Sequence, residues 1–254
     1  MYLLLASLLA GTTLAAPAAS LATCDRDFLK TQTDAYIAAQ AAGSTSDLQT
    51  SSGKFVYTQN FKNASLSTGI LATPLKIDHN RSTYDTTACA SFTELIITDS
   101  KNPHVIGTQL HFTDGALTLM ETIVTSTGDW LFNPAGTLKY ASQEKWDPIP
   151  EAKRNTRAVI QAAADAYLDL FNDKSVKVPW GNPCARLEGG SYVQPSCNVG
   201  VPSGIKQTNR RYVIDEVLGS CDVFFDFAGV DPDSHEFRVE DGKLRYVHTM
   251  TVMK

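Results

Sequence analysis

Two histidines near the end of the chain, His235 and His248, have the type and spacing best suited to chemistry. They flank Asp241-Gly242, a two-residue signal for a tight β-hairpin turn. Counting outward from that turn places the two histidines opposite each other, with Cβ atoms about 5 Å apart. Two imidazoles this close disfavour double protonation, so one stays neutral and can act as a general base or a metal ligand. The alternative is a pair of hydrogen-bonded histidines at a pocket rim, or a register that differs by one residue.

Two carboxylates, Glu188 and Asp215, lie in segments with the composition of strands. A carboxylate enclosed in an apolar pocket has a raised pKa and can abstract a proton next to a carbonyl group. Both residues are therefore candidate catalytic groups. The alternative is a buried ion pair with an arginine such as Arg186 or Arg210, and for Asp215 this structural interpretation is favoured.

Four further side chains could complete such a site. Arg186 shares strand parity with Glu188, so its guanidinium could orient a substrate carboxylate or hold Glu188 ionised. Tyr212 and Tyr246 could donate a hydrogen bond to a developing enolate, although tyrosines on an apolar face more often belong to the core. Trp180 could form the wall or lid of the pocket, or anchor a loop.

The common cofactor and nucleophile motifs are missing from the sequence. It contains no phosphate-binding glycine loop, no Gly-X-Ser-X-Gly elbow, no His-Glu-X-X-His helix and no dinucleotide fingerprint. We therefore predict chemistry without an organic cofactor. The alternative is a metal ion held by His235, His248 and a carboxylate such as Glu188, although these residues have no diagnostic spacing.

An internal repeat identifies the elements that must position these residues. Asp34-Ala35-Tyr36 recurs as Asp165-Ala166-Tyr167, 131 positions later, and the turn signal Asp114-Gly115 recurs as Asp241-Gly242. Matches in one order at similar offsets indicate a duplicated module of about 130 residues. Gln59 is the counterpart of Glu188 in this comparison.

The repeat also predicts the domain organisation. We expect a signal peptide over residues 1–22, a first domain over 23–145 and a second domain over 146–254. Asp78 is aligned with Asp215, which favours a structural contact for both. Since the second half has more ionisable residues at the candidate positions, we place the functional pocket there and regard the first half as more structural.

Several features indicate a secreted protein. The apolar run over residues 3–10 is followed by small residues, as in a secretory leader. The sequons at Asn63 and Asn80 are candidate glycosylation sites. Five cysteines in an oxidising compartment suggest two disulfides and one thiol. We predict a local Cys184–Cys197 bridge and a Cys24–Cys89 bridge from the first helix to the sheet, with Cys221 as a buried thiol.

The charge balance excludes some partners. The net charge of −5 and the absence of a long basic run argue against binding to nucleic acid or to an anionic membrane. After the leader, no stretch has the roughly 18 apolar residues that a membrane helix needs. We expect a monomer that binds a small molecule.

Each half is predicted to be a helix followed by antiparallel strands, which gives an α+β fold. The helical spacing is clearest around Tyr36 and Tyr167, and the last two strands of each half form the hairpin. Both faces of the final hairpin carry apolar residues, so each sheet should be covered on both sides. We therefore predict two tandem cone-shaped domains whose sheets pack back to back, an intramolecular pseudo-dimer.

This arrangement resembles the cone fold of the nuclear transport factor 2 superfamily, including its polyketide-cyclase (SnoaL-like) and ketosteroid-isomerase branches. Tyr57-Thr58-Gln59-Asn60 is similar to the motif that often opens the first strand there. More narrowly, the chain resembles secreted fungal proteins of unknown function with two such domains, through the runs at residues 179–190, 209–216 and 233–238. The resemblance implies a pocket between helix and concave sheet that hosts acid–base chemistry on apolar small molecules.

The leading hypothesis is a secreted fungal protein that performs cofactor-free acid–base catalysis on an apolar or carbonyl-bearing substrate, as an isomerase, a dehydratase or other lyase, or a cyclase. The base would be His235 or His248, with Glu188 as the complementary group. The competing hypothesis is a secreted, non-catalytic protein that binds a small ligand or another molecule. Ionisable groups converging in the pocket favour the enzyme, and a wholly apolar cavity favours the carrier.

Overall fold

The computed structural model describes residues 24–253, so the predicted signal peptide lies outside the described residues. The first half contains α1 (Arg26–Ala42), β1 (Val56–Gln59), β2 (Lys62–Asn63), β3 (His79–Asp85), β4 (Ala90–Ile97), β5 (His104–Thr113) and β6 (Ala116–Thr125). The helix α2 (Pro134–Ala141) follows. The second half contains α3 (Arg157–Leu170), β7 (Trp180–Glu188), β8 (Ser191–Val193), β9 (Thr208–Asp215), β10 (Ser220–Phe227), β11 (Asp231–Glu240) and β12 (Lys243–Thr251).

The two halves have the same topology. Their six-stranded sheets run β2-β1-β6-β5-β4-β3 and β8-β7-β12-β11-β10-β9, antiparallel except for the β1–β6 and β7–β12 pairs. The predicted α+β fold with two tandem cone-like units is confirmed. The exact boundary between domains at residues 145/146 stays a prediction.

Each long helix begins at a side-chain cap and covers the concave face of its own sheet. The Asp25 carboxylate accepts from the Phe28 amide at the start of α1, and the Thr156 hydroxyl accepts from the Val159 amide at the start of α3. The repeated Asp-Ala-Tyr motif places Tyr36 and Tyr167 at equivalent positions, where both are fully buried against the sheets.

The final hairpin contains a β-bulge that changes its register. The turn lies at Asp241-Gly242 as predicted, and Val239 pairs with Leu244. Arg238 then pairs with Tyr246, which leaves Arg245 as an extra residue on β12. Beyond the bulge every pair is displaced by one residue, and because strand side chains alternate, such a displacement reverses the face on which they lie.

The predicted pairing of the two histidines is therefore wrong. His235 pairs with Thr249, and His248 pairs with Glu236. His235 lies on the concave face under α3, while His248 lies on the convex face between the two sheets. These histidines cannot bind one metal ion together.

The two sheets pack back to back through their convex faces, as predicted. Their shared apolar cluster is buried and draws on both halves: Ala90, Phe92, Ile96, Val105, Ile123, Ala141, Leu187, Val213, Phe224 and Met250. Separate clusters fill the space between each helix and its concave face. The molecule thus has three apolar layers with two sheets between them.

Asp215 ties the two halves together and does not enter a pocket of either cone. Its carboxylate accepts from the Tyr84 amide at 3.0 Å and from the Arg26 guanidinium at 2.8 Å, both in the first half. Two amides of its own turn donate to it as well. These contacts support the structural interpretation of this residue and leave little capacity for catalysis.

The structural counterpart of Asp215 is Asp85, and the predicted alignment with Asp78 is wrong. The Asp85 carboxylate accepts from the Ile214 amide at 2.8 Å and from the Arg157 guanidinium at 2.6 Å. Each half therefore donates one backbone amide and one arginine to an aspartate of the other. This exchange has the pattern of a two-fold symmetric interface.

The cysteine pairing is confirmed. Cys24–Cys89 and Cys184–Cys197 are disulfides, and Cys221 is a buried thiol. Asn63 and Asn80 are both exposed, as glycosylation requires, and their modification stays a prediction. Within residues 24–253, no helix combines the length and apolar character needed to span a membrane.

Candidate functional site

The second cone encloses a cavity of about 390 Å³ between its concave face, the end of α3 and the segment before β9. Its apolar walls come from Phe171, Val201, Pro202, Ile205 and Phe227, and Trp130 and Met253 stand exposed at its mouth. The polar side chains lining it are Arg186, Glu188, Asp231, Asp233, His235, Thr249 and Thr251. A mainly apolar cavity with a few convergent polar groups is the usual form of a small-molecule site.

A buried aspartate–histidine pair lies in this cavity. His235 Nδ1 donates to Asp233 Oδ1 at 2.7 Å, and the Thr251 hydroxyl donates to Asp233 Oδ2 at 2.6 Å. His235 Nε2 is buried and has no hydrogen-bond partner among the described residues. A neutral imidazole that donates through Nδ1 presents the lone pair of Nε2 to the cavity, which is the tautomer a general base requires.

The surroundings of the pair are aromatic. The His235 ring lies 5.5 Å from Tyr167, 5.2 Å from Phe225 and 5.9 Å from Phe237, centroid to centroid. Burial raises the pKa of Asp233, and the contacts with His235 and Thr251 offset part of that rise. The carboxylate is thus held in place by two donors and is itself fully buried.

Arg186 and Glu188 form a second pair on β7, which is separated from β11 by β12. Arg186 Nε lies 3.1 Å from Glu188 Oε1, and its Nη1 donates to the Cys197 carbonyl at 3.3 Å. Thr249 connects the two pairs, since it is opposite His235 on one side and opposite Glu188 on the other. Paired residues in adjacent strands share a face, so the sheet register brings Glu188, Thr249 and His235 into one row.

The first cone provides an internal comparison. Thr108 occupies the position of His235, opposite Thr122, and Gln59 occupies that of Glu188. The Thr108 hydroxyl shares hydrogen bonds with Tyr36 at 2.7 Å and with Thr122 at 3.1 Å. In the first cone, neutral side chains therefore occupy the positions of His235 and Glu188. The ionisable residues at these positions are specific to the second half.

His248 belongs to a buried ionic cluster between the sheets. Its Nε2 donates to Glu144 at 2.7 Å and its Nδ1 to Glu94 at 3.1 Å, so both nitrogens face carboxylates. Arg81, from the first half, forms ion pairs with Glu94 and Glu236. Burial lowers the pKa of His248, but the attraction of Glu144 and Glu94 outweighs it and raises that pKa to about 9. His248 is a charged contact of the interface and is not positioned to act in the cavity.

The two candidate tyrosines have structural partners. Tyr246 lies on the convex face, where its ring stacks on Trp146 at 5.6 Å and its hydroxyl accepts from the Lys145 amide. Tyr212 is on the concave face, but its hydroxyl donates to Asp165 of α3 at 2.7 Å. Both lie outside the cavity.

Trp180 also lies outside the cavity. Its ring packs edge-on against Tyr167, with centroids 5.7 Å apart, and lines a separate surface groove. Of the predicted site residues, the structure brings His235, Glu188 and Arg186 together and places the others elsewhere.

Sequence reasoning missed Asp233, Thr249 and Thr251. The signal for Asp233 was present, because Asp233-Ser234-His235 puts its first and third residues on one face of a strand. The two threonines carried no comparable signal, since threonine is common in any strand.

No group of three or more histidine, cysteine, aspartate or glutamate residues within residues 24–253 is arranged to hold a metal ion. Catalysis without a cofactor stays a prediction.

Comparisons with known proteins agree in leaving the function open. Residues 153–251 match a family described as a domain of unknown function (DUF8021). A comparison with curated proteins found no significant match. One similar solved structure is an NTF2-like protein of unknown function from Shewanella baltica OS155, with 13% identity and a TM-score of 0.29 over 39% of this chain and 99% of that one. The restriction to secreted fungal proteins stays a prediction.

Proposed function

We propose that the second cone is a small-molecule site in which His235, oriented by Asp233, transfers protons to and from carbon. The observation that carries this proposal is the buried, unpartnered Nε2 of His235 beside a cavity of about 390 Å³. Proton abstraction is the first step shared by isomerases, β-eliminating lyases and cyclases, so the reaction belongs to one of these classes.

Each group in the row has a place in such a reaction. His235 Nε2 takes a proton from the substrate, and the Asp233 carboxylate stabilises the imidazolium that forms. The His235 imidazolium then returns this proton at a second position of the substrate or to a leaving group, and the Glu188 carboxylate, held by Arg186, orients the substrate by accepting a hydrogen bond from it. The apolar walls lower the local dielectric constant, which strengthens the electrostatic contacts inside.

We further propose that the protein acts outside the cell. Two disulfides are typical of oxidising compartments, and both sequons are exposed. The leader-like sequence over residues 1–22 supports the same route.

The base can be tested with a reagent that needs no knowledge of the natural substrate. In a nitrobenzisoxazole, removal of the ring C–H proton breaks the N–O bond and releases a coloured cyanophenolate. We expect the wild-type protein to accelerate this ring opening and His235→Gln to lose about 10²-fold or more of that acceleration. Asp233→Asn should also be slower, because the wrong imidazole tautomer is then favoured.

His104→Gln is the matched control, since this histidine lies on β5 of the first half and hydrogen-bonds to Asn102 and the Thr125 carbonyl. It should keep the full rate. Equal rates for wild type and His235→Gln would refute the catalytic role. A reagent that binds without reacting would favour the competing hypothesis, a non-catalytic carrier.

A further inference from the structure

The charged side chains of the second-cone cavity are unbalanced. Three carboxylates, Glu188, Asp231 and Asp233, line it together with one guanidinium, Arg186, and one imidazole, His235. If the Asp233–His235 pair is neutral as a whole, the lining carries one net negative charge. If Asp233 is ionised beside a neutral imidazole, it carries two.

The guanidinium of Arg186 in the cavity already has partners within the protein. Arg186 is almost fully buried, pairs with Glu188 at 3.1 Å and donates to the Cys197 carbonyl at 3.3 Å. An anionic ligand would compete with the Glu188 carboxylate for this guanidinium, in a cavity whose lining already carries net negative charge. The cavity is therefore unfavourable for a carboxylate substrate, in contrast to the role predicted for Arg186 from sequence.

One negative charge is free. Asp231 is half-buried and lies opposite Phe227, at the turn end of the β10–β11 hairpin. Within residues 24–253 its carboxylate has no hydrogen-bond or ion-pair partner. Asp231, Asp233 and His235 alternate along one face of β11, so the free charge lies at the outer end of a row that leads to the unpartnered Nε2.

Aromatic rings surround that end of the cavity. Phe171 and Phe227 meet edge to face with centroids 5.8 Å apart, and Trp130 stands at the mouth. Ring faces attract ammonium groups, and a carboxylate beside them adds a direct ion pair. This combination recognises a cation carried by an apolar molecule.

We propose that the cavity takes an organic cation, a molecule with an apolar body and a protonated or quaternary amine. The ammonium group binds between Asp231 and the Phe227 ring, and the apolar body extends past Phe171 and Ile205 towards His235. This inference assigns a substrate class to the proposed site and rests on that proposal.

A matched series of probes tests the charge preference. Naphthylmethylamine, acetylnaphthalene and naphthoate have similar size and differ in charge, from positive through neutral to negative at pH 7. We expect calorimetric titration of the full-length mature protein to show the amine binding at least about tenfold more tightly than the ketone, with the carboxylate weakest.

Substitution at Asp231 locates the preference. Asp231→Asn should weaken amine binding about tenfold and leave ketone binding unchanged. Asp226→Asn is the control, because Asp226 is on the same hairpin but accepts a hydrogen bond from Asn209 outside the cavity. Equal binding of all three probes, tightest binding of naphthoate, or an amine preference that survives Asp231→Asn would overturn the proposal.

The two proposals fail separately. Charge-selective binding without ring opening of the nitrobenzisoxazole would retain the cation site and reject catalysis. Ring opening that depends on His235, combined with no preference for the amine, would retain catalysis and reject the cation.

Discussion

Replacing His248 with glutamine should remove most of the alkaline pH dependence of stability. His248 lies between Glu94 and Glu144, both of its nitrogens donate to carboxylates, and its side chain is 2% exposed. Its pKa in the folded protein is about 9, compared with 6.5 without these contacts. The imidazolium is therefore much more stable in the folded state than in the unfolded chain.

The size of the effect follows from that difference. At 1.36 kcal/mol for each pH unit, the shift corresponds to about 3 kcal/mol of unfolding free energy. Because the folded pKa is raised, this contribution is complete below pH 6.5 and is lost as the pH rises through about 9. The wild-type protein should thus be about 3 kcal/mol less stable above pH 9 than at pH 6.

Urea denaturation at several pH values measures this directly. Wild type and His104→Gln should show the decline between pH 6.5 and 9, whereas His248→Gln should be less stable at pH 6 and nearly flat across that range. A decline of the same size in His248→Gln would show that the imidazolium of the interface is not its source.

The remaining predictions concern the acid side, the interface and the disulfides. Burial would raise the pKa of Glu94, but its contacts with His248 and Arg81 outweigh burial and lower that pKa to about 2 from 4.5. The contribution of Glu94 to folding stability is therefore present above pH 4.5 and should disappear as the pH falls through about 2. Acid titration followed by near-ultraviolet circular dichroism can measure this loss. Asp215→Asn should reduce the unfolding free energy by about 2 kcal/mol without slowing nitrobenzisoxazole ring opening, and a slower reaction at unchanged folding would instead restore Asp215 as a catalytic residue. Removing Cys24–Cys89, which closes the longer loop, should cost about 4 kcal/mol of unfolding free energy, compared with about 3 kcal/mol for Cys184–Cys197. Only the second removal should alter the binding of the probes, since it frees the segment that carries the Cys197 carbonyl contact with Arg186.

The fold could be predicted largely because the chain repeats itself. The Asp-Ala-Tyr and Asp-Gly motifs mark a helix and a turn in each half, and together they fix where the sheets begin and end. The apolar residues on both faces of the last hairpin indicated two covered sheet surfaces, which the back-to-back packing explains. The disulfides followed from the position of Cys24 at a helix start and from the short separation of Cys184 and Cys197.

The site could be predicted only in part, because a single extra residue decides which face each side chain occupies. Arg245 is that residue, and nothing in its type or neighbours marks a bulge. It moves His248 to the interface and leaves His235 on the concave face with Phe237 and Val239, so one of the two strongest candidates was assigned to the wrong surface. The shared face of Arg186 and Glu188 was predicted correctly because it depends only on their spacing of two residues along β7. That inference does not involve the hairpin that contains the bulge.

The exchange of contacts between Asp85 and Asp215 gives the molecule the interface of a symmetric dimer within one polypeptide. In a dimer of identical subunits, a substitution in one cone appears in both, and any gain in one pocket is imposed on the other. Here a change at His235 leaves Thr108 untouched. Identical subunits must meet the requirements of folding and of function with one sequence, whereas covalently linked halves can meet them separately. The first cone can keep the hydroxyl network that favours folding. The second can retain buried charges and an open cavity, which selection for stability alone would not favour.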